Sequence, residues 1–190
     1  MASSTETGIV YVADARASQF TVQVFAGGLL SAFGHSPTIA IRDFSGEAQA
    51  NPADLAGSSL KITINPESMS VRDDISDQDR QEIERAMKQD VLKVSEYPVI
   101  VYECSKITAS QAGAGQYSAT LNGNLTMHGV TRPQPVTARV SLSEESLRAF
   151  GNFSILQSDY ELKPVTVAGG ALKVKDELKF SFNILARKKV

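Results

Sequence analysis

Most of the chain alternates apolar and polar residues with period two, the pattern of strands that bury one face. In "SQFTVQVF", Phe20, Val22 and Val24 share a face, with Thr21 and Gln23 opposite. "SSLKITIN" sets Leu60, Ile62 and Ile64 against Lys61 and Thr63. The alternation continues in "YSATLNGNLTM" (Tyr117, Ala119, Leu121, Gly123, Leu125, Met127), in "VTARVSL" (Val136, Ala138, Val140, Leu142) and in "LKFSFNILA" (Leu178, Phe180, Phe182, Ile184). "LRAFGNFSILQ" is a further run of this kind. Several runs exceed the usual five or six residues of a strand. Turn signals lie between them: "NP" at 51–52 and 65–66, "GAG" at 113–115 and "GG" at 169–170.

One segment departs from this period. "SDQDRQEIERAMKQDVL", residues 76–92, reads as a helix whose narrow apolar stripe is Ile83, Met87 and Val91. Ser76 is its N-cap, Asp77 and Asp79 favour the positive end of the helix dipole, and Glu84 and Lys88 stand as an i, i+4 pair. Tyr97 before Pro98 marks the return to strand. About eight long antiparallel strands with one helix fit a barrel or a sandwich. Strands of this even length favour a closed barrel, because closure removes exposed edges. Such a barrel is either filled by its side chains or holds one small ligand.

The totals narrow the function classes. A chain of 190 residues suits a single domain, 1–190, and its 42% hydrophobic and 21% charged residues describe a folded protein. A net charge of −2 argues against a nucleic-acid binder. The lone Cys104 sits in the apolar run "VIVYECSKI", which suits a buried, inert thiol and excludes a cysteine-built metal site. No run approaches the ~20 apolar residues of a transmembrane helix. "MASSTETGIVYV" has no signal-peptide pattern, so a cytoplasmic location is expected, or a periplasmic one if a leader was removed.

Candidate chemistry is sparse. The two histidines, His35 and His128, have no ligand-spaced neighbours for a metal. A Ser36–His128–Asp159 triad can be drawn, but no G-x-S-x-G elbow supports it, and the glycine pairs lack the Lys-Ser/Thr of a phosphate loop. "VRDDISDQDR" lacks the spacing of a Ca²⁺ loop and reads as a solvated helix start, with Arg72 and Arg80 placed to meet an anionic head group. In "LNGNLTMHGVTRPQPV", Leu125 and Met127 share one face and His128 falls on the other parity, which makes it a corner residue. Gly129 frees the bend, and Pro133 and Pro135 withhold ladder donors beyond it.

That stretch, Gly123 to Arg132, resembles the G-x-L-T-I-H-G-V-T-K motif of the YceI-like family, the lipid- or polyisoprenoid-binding YceI domain. "DQDRQEIERAMKQDVLKVSEYPVIVYE" resembles the family's helix and following strand. "ILQSDYELKPVTVAGGALKVKDELKFSFNILA" resembles its closing segment, and the start, with Phe44 to Gly46, its opening hairpin. The chain departs from the pattern at Gln157, where the family often has Arg, and at Tyr160-Glu161, where it often has Phe-Gly.

The resemblance implies an all-β, lipocalin-like extended barrel with one helix near its opening. It implies non-enzymatic binding of a long-chain amphiphile such as a polyisoprenoid, an isoprenoid quinone or a related lipid, for storage, transport or sequestration. No catalytic residue, cofactor or metal comes with it, and a homodimer is compatible with it. The inward apolar positions expected to hold the ligand are Phe20, Val22, Val24, Phe44, Ile62, Leu125, Met127, Phe153, Phe180 and Phe182. His35, Arg72, Arg80 and Gln157 are the candidate polar contacts at the mouth. The alternative is a filled barrel acting as a structural or interaction protein.

Overall fold

The structure, a computed structural model, describes residues 8–27, 36–51, 54–164, 166–167 and 172–190. The alternating runs form strands β1 (Ile9–Ala13), β2 (Gln19–Gly27), β3 (Thr38–Ala40), β4 (Phe44–Asn51), β5 (Asp54–Ile64) and β6 (Ser70–Val71). After the helix come β7 (Ile100–Cys104), β8 (Ile107–Gly113), β9 (Gln116–Met127), β10 (Val130–Leu142), β11 (Ser146–Leu156), β12 (Thr166–Val167) and β13 (Leu172–Lys188). All pairings are antiparallel, and the ring β1-β4-β5-β7-β9-β10-β11-β13 returns to β1, a closed barrel of eight strands.

Closure depends on a long strand shared between two partners. β13 pairs with β2 from Lys173 opposite Gly27 to Asn183 opposite Gln19, then with β1 from Ala186 opposite Ala13 to Lys188 opposite Tyr11. β1 and β2 are thus two halves of one bent strand. The bend is a 3-10 turn, Ala15–Ala17, capped by Asp14, whose carboxylate accepts the Ala17 N–H at 3.1 Å.

The helix starts where its cap directs. Ser76 Oγ accepts the Asp79 N–H at 3.1 Å, and α1 (Asp77–Arg85) follows, continuing as a π-helical turn over Ala86–Val91. Ile83, Met87 and Val91 pack on the barrel core. The expected Glu84–Lys88 pair does not form. Glu84 instead accepts the Val71 N–H at 2.9 Å, and Lys88 reaches Glu67 at 3.6 Å. A nearby main-chain donor with no other partner is a better use of a carboxylate than an exposed i, i+4 pair.

β9 and β10 meet in a two-residue turn. His128 (φ 53) and Gly129 (φ 75) both take left-handed backbone angles, as a tight hairpin of this hand demands. Pro133 and Pro135 lie opposite Asn124 and Asn122 of β9, in the part of β10 whose other edge is unpaired. Pairing with β11 begins only at Ala138, so neither missing N–H breaks a ladder on that side.

Candidate functional site

The inward faces enclose a cavity of about 550 Å³. An eight-stranded barrel is just wide enough for its side chains to fill, so the hollow needs a cause. Ala48, Ala50, Ala119, Ala138, Ala149 and Ala186 all line it, where leucine or valine would close it. The period-two runs marked Ala119 and Ala138 as inward. Alanine, however, is as common in a filled core as around a hole, and pattern alone does not separate the two.

Nine of the ten inward positions expected from the alternation line this cavity: Phe20, Val22, Val24, Ile62, Leu125, Met127, Phe153, Phe180 and Phe182. Phe44 stands one layer behind, buried and edge-on to Phe20 at 5.8 Å and 89°. Phe153 and Phe180 are opposite each other in register and stack at 4.8 Å and 4°. Ile83, Ala86 and Met87 of the helical segment also line the cavity, so the helix covers one end of it. The other end is bounded by Tyr11, which is fully buried and donates its phenol to the Ser143 carbonyl at 2.6 Å.

The polar positions expected at the mouth separate into different roles. Gln157 lines the cavity, is 4% exposed, and donates Nε2 to the Lys175 carbonyl at 2.9 Å, where β13 bulges between Val174 and Leu178. Arg80 does not line it. Its guanidinium donates to the Val71 carbonyl and, at 2.9 Å, to the Asp73 carbonyl, which fastens α1 to the strand below. Arg72 is exposed, does not line the cavity, and contributes its main-chain N–H to the Thr38 carbonyl at 2.8 Å. His35 lies outside the described residues. The charged side chains that do line the cavity, among the described residues, are three carboxylates: Asp73, Asp79 and Glu82. The sequence offered a signal for them only as the acidic run around the helix start.

Three further side chains, Tyr102, Cys104 and His128, carry groups capable of proton transfer or nucleophilic chemistry. Tyr102 lies in the cavity wall with its hydroxyl 3.0 Å from both the Leu121 and the Gln134 carbonyls. Gly123 permits this, because a Cβ there would sit 2.6 Å from the phenol ring and its oxygen. Burial, with the Cys104 thiol beside it, pushes the Tyr102 phenol far up, so it remains a donor. Cys104 is buried, its thiol is 3.4 Å from the Lys106 carbonyl, and burial raises its pKa. His128 sits at the hairpin corner, its ring 4.4 Å from that of Tyr97, and does not line the cavity. Among the described residues, no three His, Cys, Asp or Glu side chains converge as a metal site requires.

The family model for the YceI-like domain matches residues 11–186. No curated protein matches the chain. Among solved structures, BcnA of Burkholderia cenocepacia is similar with a TM-score of 0.68 at 19% identity, covering 91% of this chain and 98% of its own. A polyisoprenoid binding domain from Saccharophagus degradans gives 0.65 at 16% identity, with 95% and 99% covered. The YceI protein of Campylobacter jejuni gives 0.59 at 18% identity, with 80% and 85% covered. At these identities the likeness is one of fold.

Proposed function

The chain belongs to the YceI-like family, and from that membership and the hollow barrel we propose that it binds a long-chain amphiphile without catalysing a reaction on it. The observation that carries this reading is the apolar cavity of about 550 Å³, in the range of small-molecule sites. A polyisoprenoid or an isoprenoid quinone suits it. Burying apolar surface is worth about 0.8 kcal/mol per CH₂, so one five-carbon prenyl unit contributes on the order of 3–4 kcal/mol before ordering costs. A few such units give tight binding with no reactive group. The polyisoprenoid binding domain from Saccharophagus degradans, which shares the fold, supports the same ligand class.

The lining also speaks to the head group. Asp73, Asp79 and Glu82 repel a phosphate or diphosphate, and Gln157 stands where the family often has Arg. An uncharged head group, such as an alcohol or a quinone ring, meets no such repulsion. The cavity favours this reading over the filled-barrel alternative.

Native mass spectrometry and solvent extraction of the purified protein test the reading. A bound long-chain amphiphile is expected, or uptake of one from a panel of quinones, polyprenols and fatty amphiphiles. Ala138→Phe, which fills the cavity from a position 1% exposed, is expected to weaken uptake by more than about tenfold. A ligand-free protein that takes up none of the panel overturns the reading.

A further inference from the structure

A hydroxyl inside an apolar chamber is destabilising unless something hydrogen-bonds it. Ser58 is 4% exposed, its Oγ is closed to solvent and has no hydrogen-bond partner in the protein, and it lines the cavity. It lies on β5 between Leu55 and Leu60, which also line the cavity. Ser58 is therefore the one buried serine hydroxyl, among the described residues, that faces the hollow with its bonding capacity unused.

Its placement continues the inward parity of Leu60, Ile62 and Ile64, and an irregularity in the wall lies beside it. β4 and β5 pair regularly from Phe44 opposite Ile64 to Gln49 opposite Ser59, and the next partners are Asn51 and Asp54. Two steps along β4, from 49 to 51, are thus matched by five along β5, from 59 to 54. Strict alternation keeps Ser58 inward and would turn Ser59 outward, and beside this bulge Ser59 reaches the cavity as well. The other short side chains there, Ala48, Ala50, Ala119 and Ala138, show that a small residue alone would have served the packing.

We propose that Ser58 is a ligand-contacting residue whose hydroxyl hydrogen-bonds an uncharged oxygen, a carbonyl or hydroxyl, on the amphiphile in the cavity. The proposal rests on the binding reading above and adds the contact that orients the ligand. The charged lining residues, Asp73, Asp79 and Glu82, all belong to the β6–α1 stretch. Ser58 is six residues from Ile64, roughly 20 Å along the strand, on the side toward Leu55 and the Tyr11 end. The oxygen-bearing end of the ligand is therefore inserted toward Tyr11, and the chain runs back along Phe153 and Phe180.

The test compares two C20 probes, the alcohol phytol and the hydrocarbon phytane, delivered from mixed micelles and measured by displacement of a fluorescent fatty-chain dye. Ser58→Ala is expected to weaken phytol about fivefold, the factor of one typical hydrogen bond, and to leave phytane unchanged. Ser58→Thr, which keeps the hydroxyl, is expected to retain most of the phytol affinity. Thermal unfolding of ligand-free Ser58→Ala at or above the wild-type midpoint verifies that the variant is folded. If wild type binds both probes and Ser58→Ala binds phytol equally well, the Ser58 contact is overturned and the binding reading stands. If wild type binds neither probe, both fall.

Discussion

Glu84 of α1 accepts the main-chain N–H of Val71 at 2.9 Å. From one turn earlier, Arg80 donates to the carbonyl of the same residue. One helix thus grips both peptide groups of a residue that is 2% exposed. Removing the carboxylate leaves a buried N–H unpaired, at a cost of about 1–3 kcal/mol. Glu84→Ala is expected to lower stability by that amount. Hydrogen exchange should locate the loss at the Val71 amide and across residues 77–91, and the dissociation rate of a bound amphiphile should rise. Unchanged exchange at Val71 would refute the anchoring role.

Gln157 offers a direct probe of head-group choice. Wild type is expected to prefer a polyprenol over the matching polyprenyl phosphate, because a phosphate meets carboxylates at the α1 end of the cavity and no lining cation at the Tyr11 end among the described residues. Gln157→Arg puts a cation into the same wall, where charge-assisted hydrogen bonds are roughly twice as strong as neutral ones. The preference should narrow by about tenfold in paired titrations. A wild type that favours the phosphate would contradict the electrostatic reading.

Acid should loosen the barrel at two clasps. Ser158 donates its hydroxyl at 2.6 Å and its N–H at 2.8 Å to Asp176, holding that carboxyl below its ordinary range. Arg187 and then the Ala17 N–H do the same for Asp14. A carboxyl whose pKa is lower folded than unfolded contributes stability above the unfolded value, near 4, and loses it as pH falls through the folded value. The thermal midpoint should therefore drop between about pH 5 and about pH 3. Asp176→Asn and Asp14→Asn should each flatten that slope, and scans across this window decide the matter.

Glu161 ends the 3-10 turn Gln157–Tyr160 with φ 56 and ψ 21, a left-handed conformation that disfavours a side chain. The family often places glycine there. Glu161→Gly is expected to stabilise the fold by up to about 1 kcal/mol, or about 2–4 °C in the thermal midpoint for a chain of this size. Calorimetry provides the check, and a fall in midpoint would show that the glutamate makes a compensating contact.

The alternation of Phe20, Val22 and Val24, and of Leu178 to Ile184, was legible because an inward face with period two is a direct consequence of the pleat. Ser76 was equally legible, since capping is a local interaction. The partners of Glu84 and Arg80 were not, because both reach across to Val71, on a strand whose place the helix sequence does not encode. The hollow was also hidden. It depends on alanines from five strands meeting at one level, and each of them alone looks like ordinary core. Ser58 was obscured for a different reason: it shares the inward parity of Leu60, Ile62 and Ile64, but alternation does not tell that its hydroxyl lacks a partner.

The strand shared between β1 and β2 has a consequence for the order of events in the cell. β13 closes the ring against β11 on one side and against the two halves of the first strand on the other, joining Tyr11 to Lys188. Every other barrel strand precedes it in the chain. During synthesis the wall stands open until residues 172–188 emerge, and contacts so distant in sequence form late. The chamber cannot hold a ligand before that moment, so loading follows the completion of the barrel.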